Sequence, residues 1–249
     1  MAAPAIGADE WDKDLRQIAV MGTGSNGQGY GEVLASGDLN DDGMDDIVVA
    51  APGASAGAGE VSVIFGSVGE GQQNEEDVRN WWPQDTTNGV SIGASLLVAD
   101  VDDDGVNDLL VGNPQVGSSN IGEVWVFFGP LADAPTTAQT RANADVVILG
   151  ASGDQLGASM DYKVAPSSGD RLLAIGATRT STNDGAVYVV DAGLLTTGTQ
   201  AVTAVDLRAY TGVSNEKLGT SVAFTDYGLA MSAPNHDDGS GNRVSRALH

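Results

Sequence analysis

The segment Tyr30-Gly-Glu-Val-Leu-Ala-Ser-Gly-Asp38 is the first of four related stretches that together decide the fold. Its three counterparts are Ile92-Gly-Ala-Ser-Leu-Leu-Val-Ala-Asp100, Leu156-Gly-Ala-Ser-Met-Asp-Tyr-Lys-Val164 and Leu218-Gly-Thr-Ser-Val-Ala-Phe-Thr-Asp226. A glycine is the second residue of each stretch, and successive glycines are 62, 64 and 62 residues apart. Self-similarity at a fixed period of this size is typical of repeat architectures. We therefore interpret the chain as four units of about 62 residues.

Each unit contains three further stretches that predict strands, because they are rich in β-branched and aromatic residues and are bounded by glycine. The second strand is predicted at 46–52, 108–114, 172–178 and 228–234, and the third at 59–66, 122–129, 185–191 and 241–248. The stretch that opens each unit supplies a fourth strand, at 17–20, 78–82, 145–149 and 205–210. Four short strands per repeat are the signature of a propeller blade. We predict an all-β fold in which residues 1–249 form a single β-propeller domain of about four blades, each a four-stranded antiparallel sheet.

The order of the strands suggests a way to close the ring. The chain begins with a strand of the fourth type and ends with one of the third type. We therefore expect the N-terminal strand near Ile18 to complete the sheet of the last unit, around Val244, which would pair edges that otherwise invite aggregation. Half of an eight-bladed dimer and a part of a larger propeller remain alternatives. A single helical turn at 10–16 is the only helix expected.

The composition excludes several classes of protein. The chain has 11 Lys and Arg against 34 Asp and Glu, a formal net charge of −23, and no cysteine. Because so acidic a protein repels phosphate groups, we expect no nucleic-acid partner and no binding to anionic membrane surfaces. Disulfides, thiolate metal sites and a cysteine nucleophile are excluded. No window is apolar enough for a membrane-spanning helix, and Met1 to Pro4 do not begin a signal peptide, so we expect no membrane insertion.

Two acidic loops carry the predicted chemistry: loop 1 (residues 38–46) and loop 2 (residues 100–108), both of which read D-x-[DN]-x-D-G-x-x-D. Oxygen ligands at positions one, three, five and nine, a glycine at position six and a backbone carbonyl at position seven would surround one Ca²⁺. The candidate ligands are Asp38, Asn40, Asp42, Met44 and Asp46 in loop 1 and Asp100, Asp102, Asp104, Val106 and Asp108 in loop 2. Met44 and Val106 would contribute their carbonyls. Mg²⁺ fits less well, because it demands stricter octahedral geometry.

The acidic loops allow two other interpretations. An EF-hand requires a bidentate Glu at position twelve, where this chain has Val49 and Val111, and it requires flanking helices. A solvated acidic turn is the simpler alternative. The third unit keeps only the glycine of the pattern, with Val164, Pro166, Ser168, Gly169 and Leu172 in register. The fourth unit has a short turn, Asp226-Tyr227-Gly228, instead. We therefore predict two calcium ions.

Other motifs do not favour an enzyme. The glycines of 22–27 match G-x-G-x-x-G, but a strand follows where a nucleotide site needs a helix. The G-x-S-x-G of 53–57 lies in a small-residue loop between two strands and has no evident histidine base. His236, in a predicted surface loop, and His249 are the only histidines. We predict that the chain is not an enzyme, although paired carboxylates for glycoside hydrolysis stay open.

The combination of G-x-S, D-x-N-x-D-G-x-x-D, an Ala-Pro turn and G-x-V-x-V-F-x-G resembles FG-GAP repeats, the blades of the integrin α-subunit β-propeller. Gly153-Asp-Gln-Leu-Gly-Ala-Ser159 is similar to the phrase that opens many such blades. The resemblance covers essentially the whole chain and implies calcium in the nine-residue loops on one rim. Integrin propellers have seven blades, whereas this chain has about four units, two of them without the loop.

The resemblance implies a non-enzymatic, calcium-binding module that acts in adhesion or binds a protein or a glycan. It also implies an extracellular or cell-surface location, where calcium is abundant. A homodimer remains open. The alternatives are an accessory or catalytic domain of an extracellular hydrolase or lyase, and a purely architectural oligomerisation module.

Overall fold

The computed structural model describes residues 18–21, 29–66, 71–74, 81–83, 91–116, 120–131, 138–179, 183–213, 215–237 and 243–248. Its strands in chain order are β1 (Ile18–Met21), β2 (Val33–Gly37), β3 (Asp46–Ala51), β4 (Glu60–Ile64), β5 (Gly71–Asn74), β6 (Ser95–Ala99), β7 (Asp108–Asn113), β8 (Glu123–Phe127), β9 (Val146–Leu149), β10 (Leu156–Val164), β11 (Arg171–Ala177), β12 (Ala186–Asp191), β13 (Gly198–Ala201), β14 (Asp206–Thr211), β15 (Val222–Thr225), β16 (Gly228–Asp237) and β17 (Arg243–Leu248). The helices of this part of the chain are single turns: α1 (Ala54–Gly57), α2 (Val202–Val205) and the 3₁₀ turns Arg141–Asn143 and Ala192–Leu194.

The strands form four successive antiparallel sheets, one for each unit of the sequence. The first sheet has the order β2-β3-β4, the second β6-β7-β8-β9, the third β10-β11-β12-β14 and the fourth β15-β16-β17. The predicted strands that open the third and fourth units are present, and each is the fourth strand of the preceding unit's sheet: β9 in the second sheet and β14 in the third. In the first sheet Trp81 takes this place, through an antiparallel bridge to Val63. The prediction of an all-β fold with antiparallel sheets is confirmed.

The N-terminal strand does not lie where the sequence suggested. β1 pairs in parallel with β5, from Ile18 opposite Gly71 to Met21 opposite Asn74. The expected pairing of Ile18 with the last unit around Val244 is therefore wrong, and β17 pairs with β16. The chain between β1 and β5 is about a quarter as long as the chain between β1 and β17. The entropic cost of closing the loop is therefore lower by roughly 1 kcal/mol for the pairing with β5. The predicted helical turn at 10–16 lies outside the described residues.

Two more features depart from the prediction. β13 adds a fifth strand to the second sheet by pairing in parallel with β9. The small-residue loop predicted between the second and third strands of the first unit contains the helical turn α1. Neither changes the order of the repeated strands.

Apolar clusters join each sheet to the next. Leu109 and Val111 on β7 are buried against the first sheet, whereas Leu110 between them is buried with Leu173 of the third sheet. The third sheet repeats this arrangement, because Ala174 on β11 is buried with residues of the fourth sheet. Since successive side chains of a strand point to opposite faces, the second and third sheets are covered on both faces. Full burial of one such leucine stabilises the fold by about 1.5–3 kcal/mol.

The glycines of the repeat allow the sheets to approach closely. Ser95 Oγ donates a 2.7 Å hydrogen bond to the carbonyl of Gly157, and Ser159 Oγ donates one of 2.9 Å to that of Gly219. The G-x-S serines of the second and third units thus bind the motif glycines of the units that follow them. The four motif glycines, Gly31, Gly93, Gly157 and Gly219, all have φ between +81° and +93°. This conformation costs L-residues with side chains about 1–2 kcal/mol.

Candidate metal-binding loops

The two acidic loops lie at the same edge of neighbouring sheets. Loop 1 joins β2 to β3 and loop 2 joins β6 to β7, so each loop connects the first and second strands of its sheet. Asn107 Nδ2 donates a 3.1 Å hydrogen bond to the carbonyl of Asp38. The loops are therefore in direct contact.

The carboxylate at position one organises each loop from inside. In loop 1, Asp38 accepts hydrogen bonds from the backbone N–H groups of Asp42 at 3.2 Å and Gly43 at 2.8 Å. In loop 2, Asp100 accepts them from Asp103 at 2.6 Å and Gly105 at 3.0 Å. Both loops bend around their first residue.

Positions three, five and seven also repeat between the loops. The position-three oxygens, from Asn40 and Asp102, each accept a 3.2 Å hydrogen bond from the N–H of position five. The position-five carboxylates accept from the N–H of position seven, at 2.9 Å in Met44 and 2.8 Å in Val106. The side chain of Met44 is exposed, as expected if only its carbonyl faces an ion.

Backbone angles complete the match between the loops. Position four has φ of 59° at Asp41 and 69° at Asp103, and position six has φ of 86° at Gly43 and 92° at Gly105. Aspartate tolerates the left-handed region because its short side chain can hydrogen-bond locally. The two loops therefore share one conformation.

Position nine is a buried anchor. Asp46 and Asp108 have no exposed surface. One oxygen of each accepts the N–H of position two, at 2.8 Å from Leu39 and at 2.7 Å from Val101. The other oxygen accepts the N–H of a glycine after the third strand, at 2.8 Å from Gly66 and 2.9 Å from Gly129. These carboxylates fix the loop to its own sheet.

The electrostatics favour a cation. Burial, together with the nearby charges of Asp102 and Asp100, raises the pKa of Asp108 to about 6. Burial likewise raises the pKa of Asp46 above its usual range. At Asp102, burial and then the charge of Asp104 raise the pKa. A divalent cation between these groups would remove the repulsion and hold the carboxylates ionised.

The geometry of loop 2 accommodates one ion. Carboxylate oxygens of Asp100, Asp102 and Asp108 all lie within 4.8 Å of one another. Ca²⁺ takes oxygen ligands at 2.3–2.6 Å, so two ligands of one ion lie at most about 5 Å apart. The donors and their spacing therefore fit calcium. In loop 1 the third position is an amide, and Asn40 Nδ2 donates a 3.1 Å hydrogen bond to Asp42 Oδ2.

Tight turns occupy the same edge in the other two units. In the third unit, Ala165 and Asp170 are joined through the backbone by a 2.8 Å hydrogen bond. In the fourth unit, Asp226 and Tyr227 connect β15 directly to β16, with Thr225 paired to Gly228. Neither turn has the hydrogen-bonded conformation of loops 1 and 2.

Sequence reasoning missed three side chains that contact the loops from the next unit, namely Asn107, Tyr162 and Arg171. The usable signal was position eight of the repeat, which both Asn107 and Arg171 occupy. His236 also differs from the prediction. It lies in β16, not in a surface loop, and its ring hydrogen-bonds the buried carboxylate of Glu216.

Comparison with known proteins shows which repeat family two segments of the chain match. FG-GAP repeats are recognised at residues 30–64 and 92–127, which contain both acidic loops and the first three strands of the first and second sheets. The chain is 35% identical to mouse phosphatidylinositol-glycan-specific phospholipase D over 112 residues, and 34% identical to the human protein over 114 residues. It is 33% identical to Drosophila melanogaster integrin alpha-PS5 over 127 residues. The aligned parts cover 40%, 40% and 49% of this chain but only 13%, 13% and 12% of the relatives.

In the part of the chain that the structure describes, no helix has the length and apolar character needed to cross a membrane.

Proposed function

We propose that the chain is a calcium-stabilised β-propeller module that binds a protein or a glycan outside the cell. The observation that carries the proposal is the common hydrogen-bonded conformation of loops 1 and 2. In loop 2, it brings carboxylate oxygens of Asp100, Asp102 and Asp108 to calcium-ligand spacing. The same positions in loop 1 are Asp38, Asn40 and Asp46.

The stacking of the sheets supports the propeller. Each sheet packs on the next through one apolar cluster, and the serine bonds between units span 62 and 60 residues. A constant contact between successive sheets is what a ring of blades requires. We propose a ring of about four blades; the mass in solution tests this, since a dimer would favour eight blades shared by two chains.

We propose binding or adhesion outside the cell because the chain is similar to integrin alpha-PS5 and because calcium is abundant there. A ligand that binds only the native state stabilises it by about 2.7 kcal/mol at a hundred times its dissociation constant. Two such sites would make the fold depend on the calcium concentration outside cells. Occupied loops would also present a rigid rim to a partner.

The testing experiment is a calorimetric calcium titration of chelator-stripped protein, followed by protein and glycan array binding with and without calcium. We expect about two ions per chain and calcium-dependent capture of at least one ligand class. No calcium binding would overturn the metal assignment. Calcium binding without any captured ligand would favour a purely architectural module.

A second candidate is a non-catalytic or catalytic part of a hydrolase, favoured by the similarity to phosphatidylinositol-glycan-specific phospholipase D. The test is hydrolysis of phosphatidylinositol-glycan by the purified chain. Activity that survives disruption of both loops but disappears on substitution of an acid elsewhere would support this candidate over a binding module.

A further inference from the structure

Two side chains of the third sheet hold the backbone of loop 2. Tyr162 OH donates a 2.7 Å hydrogen bond to the carbonyl of Asp100, and Arg171 Nη1 donates one of 2.9 Å to that of Val101. These carbonyls belong to positions one and two of the loop. Burial raises the pKa of Tyr162, so its phenol stays protonated and remains a donor at physiological pH. The third sheet therefore fixes the start of a loop that belongs to the second sheet.

The same relationship links loop 1 to the second sheet. Asn107, at position eight of loop 2, donates to the carbonyl of Asp38 at position one of loop 1. Position two is buried between sheets in both loops: Leu39 lies in the cluster of the first and second sheets, and Val101 in that of the second and third. Each loop is thus held by hydrogen bonds and apolar contacts from the following unit.

The charge of the side chain that holds each loop from the next unit matches the residue at position three of that loop. Loop 1 has the neutral Asn40 at position three, and the residue that holds it, Asn107, is neutral. Loop 2 has the carboxylate of Asp102 at position three, and one of the residues that hold it, Arg171, is a cation. The loop with the additional carboxylate among its predicted ligands is the loop that a cationic side chain holds.

We propose that Tyr162 and Arg171 are positioning residues that complete the loop 2 metal site from the neighbouring sheet. This inference rests on the proposed calcium binding. Because the same hydrogen bonds join loop 2 to the third sheet, calcium binding and packing of the third sheet on the second are coupled. By linkage the coupling acts in both directions.

The test isolates each loop in turn. Asp42→Ala disables loop 1 and leaves loop 2 to be titrated with calcium; Asp104→Ala does the reverse. In the Asp42→Ala background we expect Tyr162→Phe to weaken calcium binding about three- to tenfold, the effect of one lost hydrogen bond that preorganises a site. In the Asp104→Ala background Tyr162→Phe leaves the affinity unchanged. Tyr210→Phe, a change on β14 of the same sheet, is the matched control and alters neither affinity.

Arg171 is tested by the salt dependence of binding. Arg171→Gln removes the cation, so calcium affinity of loop 2 should fall more steeply with added salt than in the parent, whereas Tyr162→Phe leaves that slope unchanged. Unchanged calcium affinity of loop 2 for Arg171→Gln in the Asp42→Ala background overturns its positioning role, and an unchanged slope overturns the effect of its charge.

The outcomes separate this inference from the proposed function. Equal weakening of both loops by Tyr162→Phe would indicate general destabilisation and overturn the positioning role. Unchanged affinity at loop 2 would overturn it while the calcium proposal stands. A parent protein that binds no calcium would overturn both.

Discussion

The backbone of Gly122 lies against the backbone of Leu156, and the two residues form a parallel bridge between the second and third units. A Cβ atom on Gly122 would lie 2.1 Å from the amide nitrogen of Leu156. The glycine before the third strand makes the same bridge in the neighbouring units, from Gly59 to Ile92 and from Gly185 to Leu218. In these three units the glycine before the third strand is therefore required by contact between sheets.

Substitution of Gly122 tests this contact. Gly122→Ala should lower the free energy of unfolding by at least about 2 kcal/mol, because the added methyl group overlaps backbone and φ is +73°. Gly153→Ala is the control, since its φ is +87° but no atom lies within 4 Å of the added methyl group. Its expected cost is about 1 kcal/mol. Denaturant unfolding of both variants measures the difference, and equal losses would contradict close packing at Gly122.

The serine of the repeat motif gives a second prediction. Ser95→Ala removes the 2.7 Å hydrogen bond to the Gly157 carbonyl in a buried contact and should cost about 1 kcal/mol. Ser168→Ala is the control, because its exposed hydroxyl bonds Asp170 two residues away, and it should change stability by less than about 0.5 kcal/mol. Unfolding in denaturant compares the pair. A larger loss for Ser168→Ala would argue against a special role for the G-x-S serine.

The repeated strands and loops could be predicted from the sequence because local sequence features determine them. Glycines at fixed spacing and runs of β-branched residues predict the strand sets, and the spacing of acids predicts the bend of loops 1 and 2. Pairings between distant segments were not accessible, since the local sequence of β1 does not specify β5 as its partner. The contacts of Tyr162 and Arg171 depend on how one sheet docks on the next. Apart from the repeat position that Arg171 shares with Asn107, nothing in their local sequence encodes that docking.

Calcium should stabilise the fold through exposed ligands that contribute little without the ion. Asp104→Ala is expected to lower the melting temperature by about 5–10 °C at a calcium concentration a hundred times the dissociation constant. In chelator the change should be small, because the Asp104 carboxylate accepts one exposed hydrogen bond, from Val106. Asp103→Asn is the matched control: it removes a charge from a position outside the predicted ligand set and keeps a residue suited to φ of 69°. Scanning calorimetry with and without calcium distinguishes them, and equal shifts would indicate an effect of charge alone.

The buried Asp108 predicts how stability without calcium depends on pH. Its folded-state pKa of about 6 lies above the value near 4 of an unfolded chain, so the folded state holds the proton more tightly. The stabilisation from this group is complete below about pH 4 and is lost as pH rises through 6, lowering the free energy of unfolding by up to roughly 2 kcal/mol. Denaturant unfolding in chelator from pH 4 to pH 7 measures how steeply the free energy of unfolding falls with pH.

Asp108→Asn should remove the contribution of this group to that slope, whatever the stability of the variant, because the amide does not titrate. Saturating calcium should oppose the decrease by binding the ionised carboxylate. If the parent protein in chelator shows the same pH dependence as Asp108→Asn, the Asp108 carboxyl titrates normally. Loop 2 would then lack the buried ionisable group on which the proposed cation site depends.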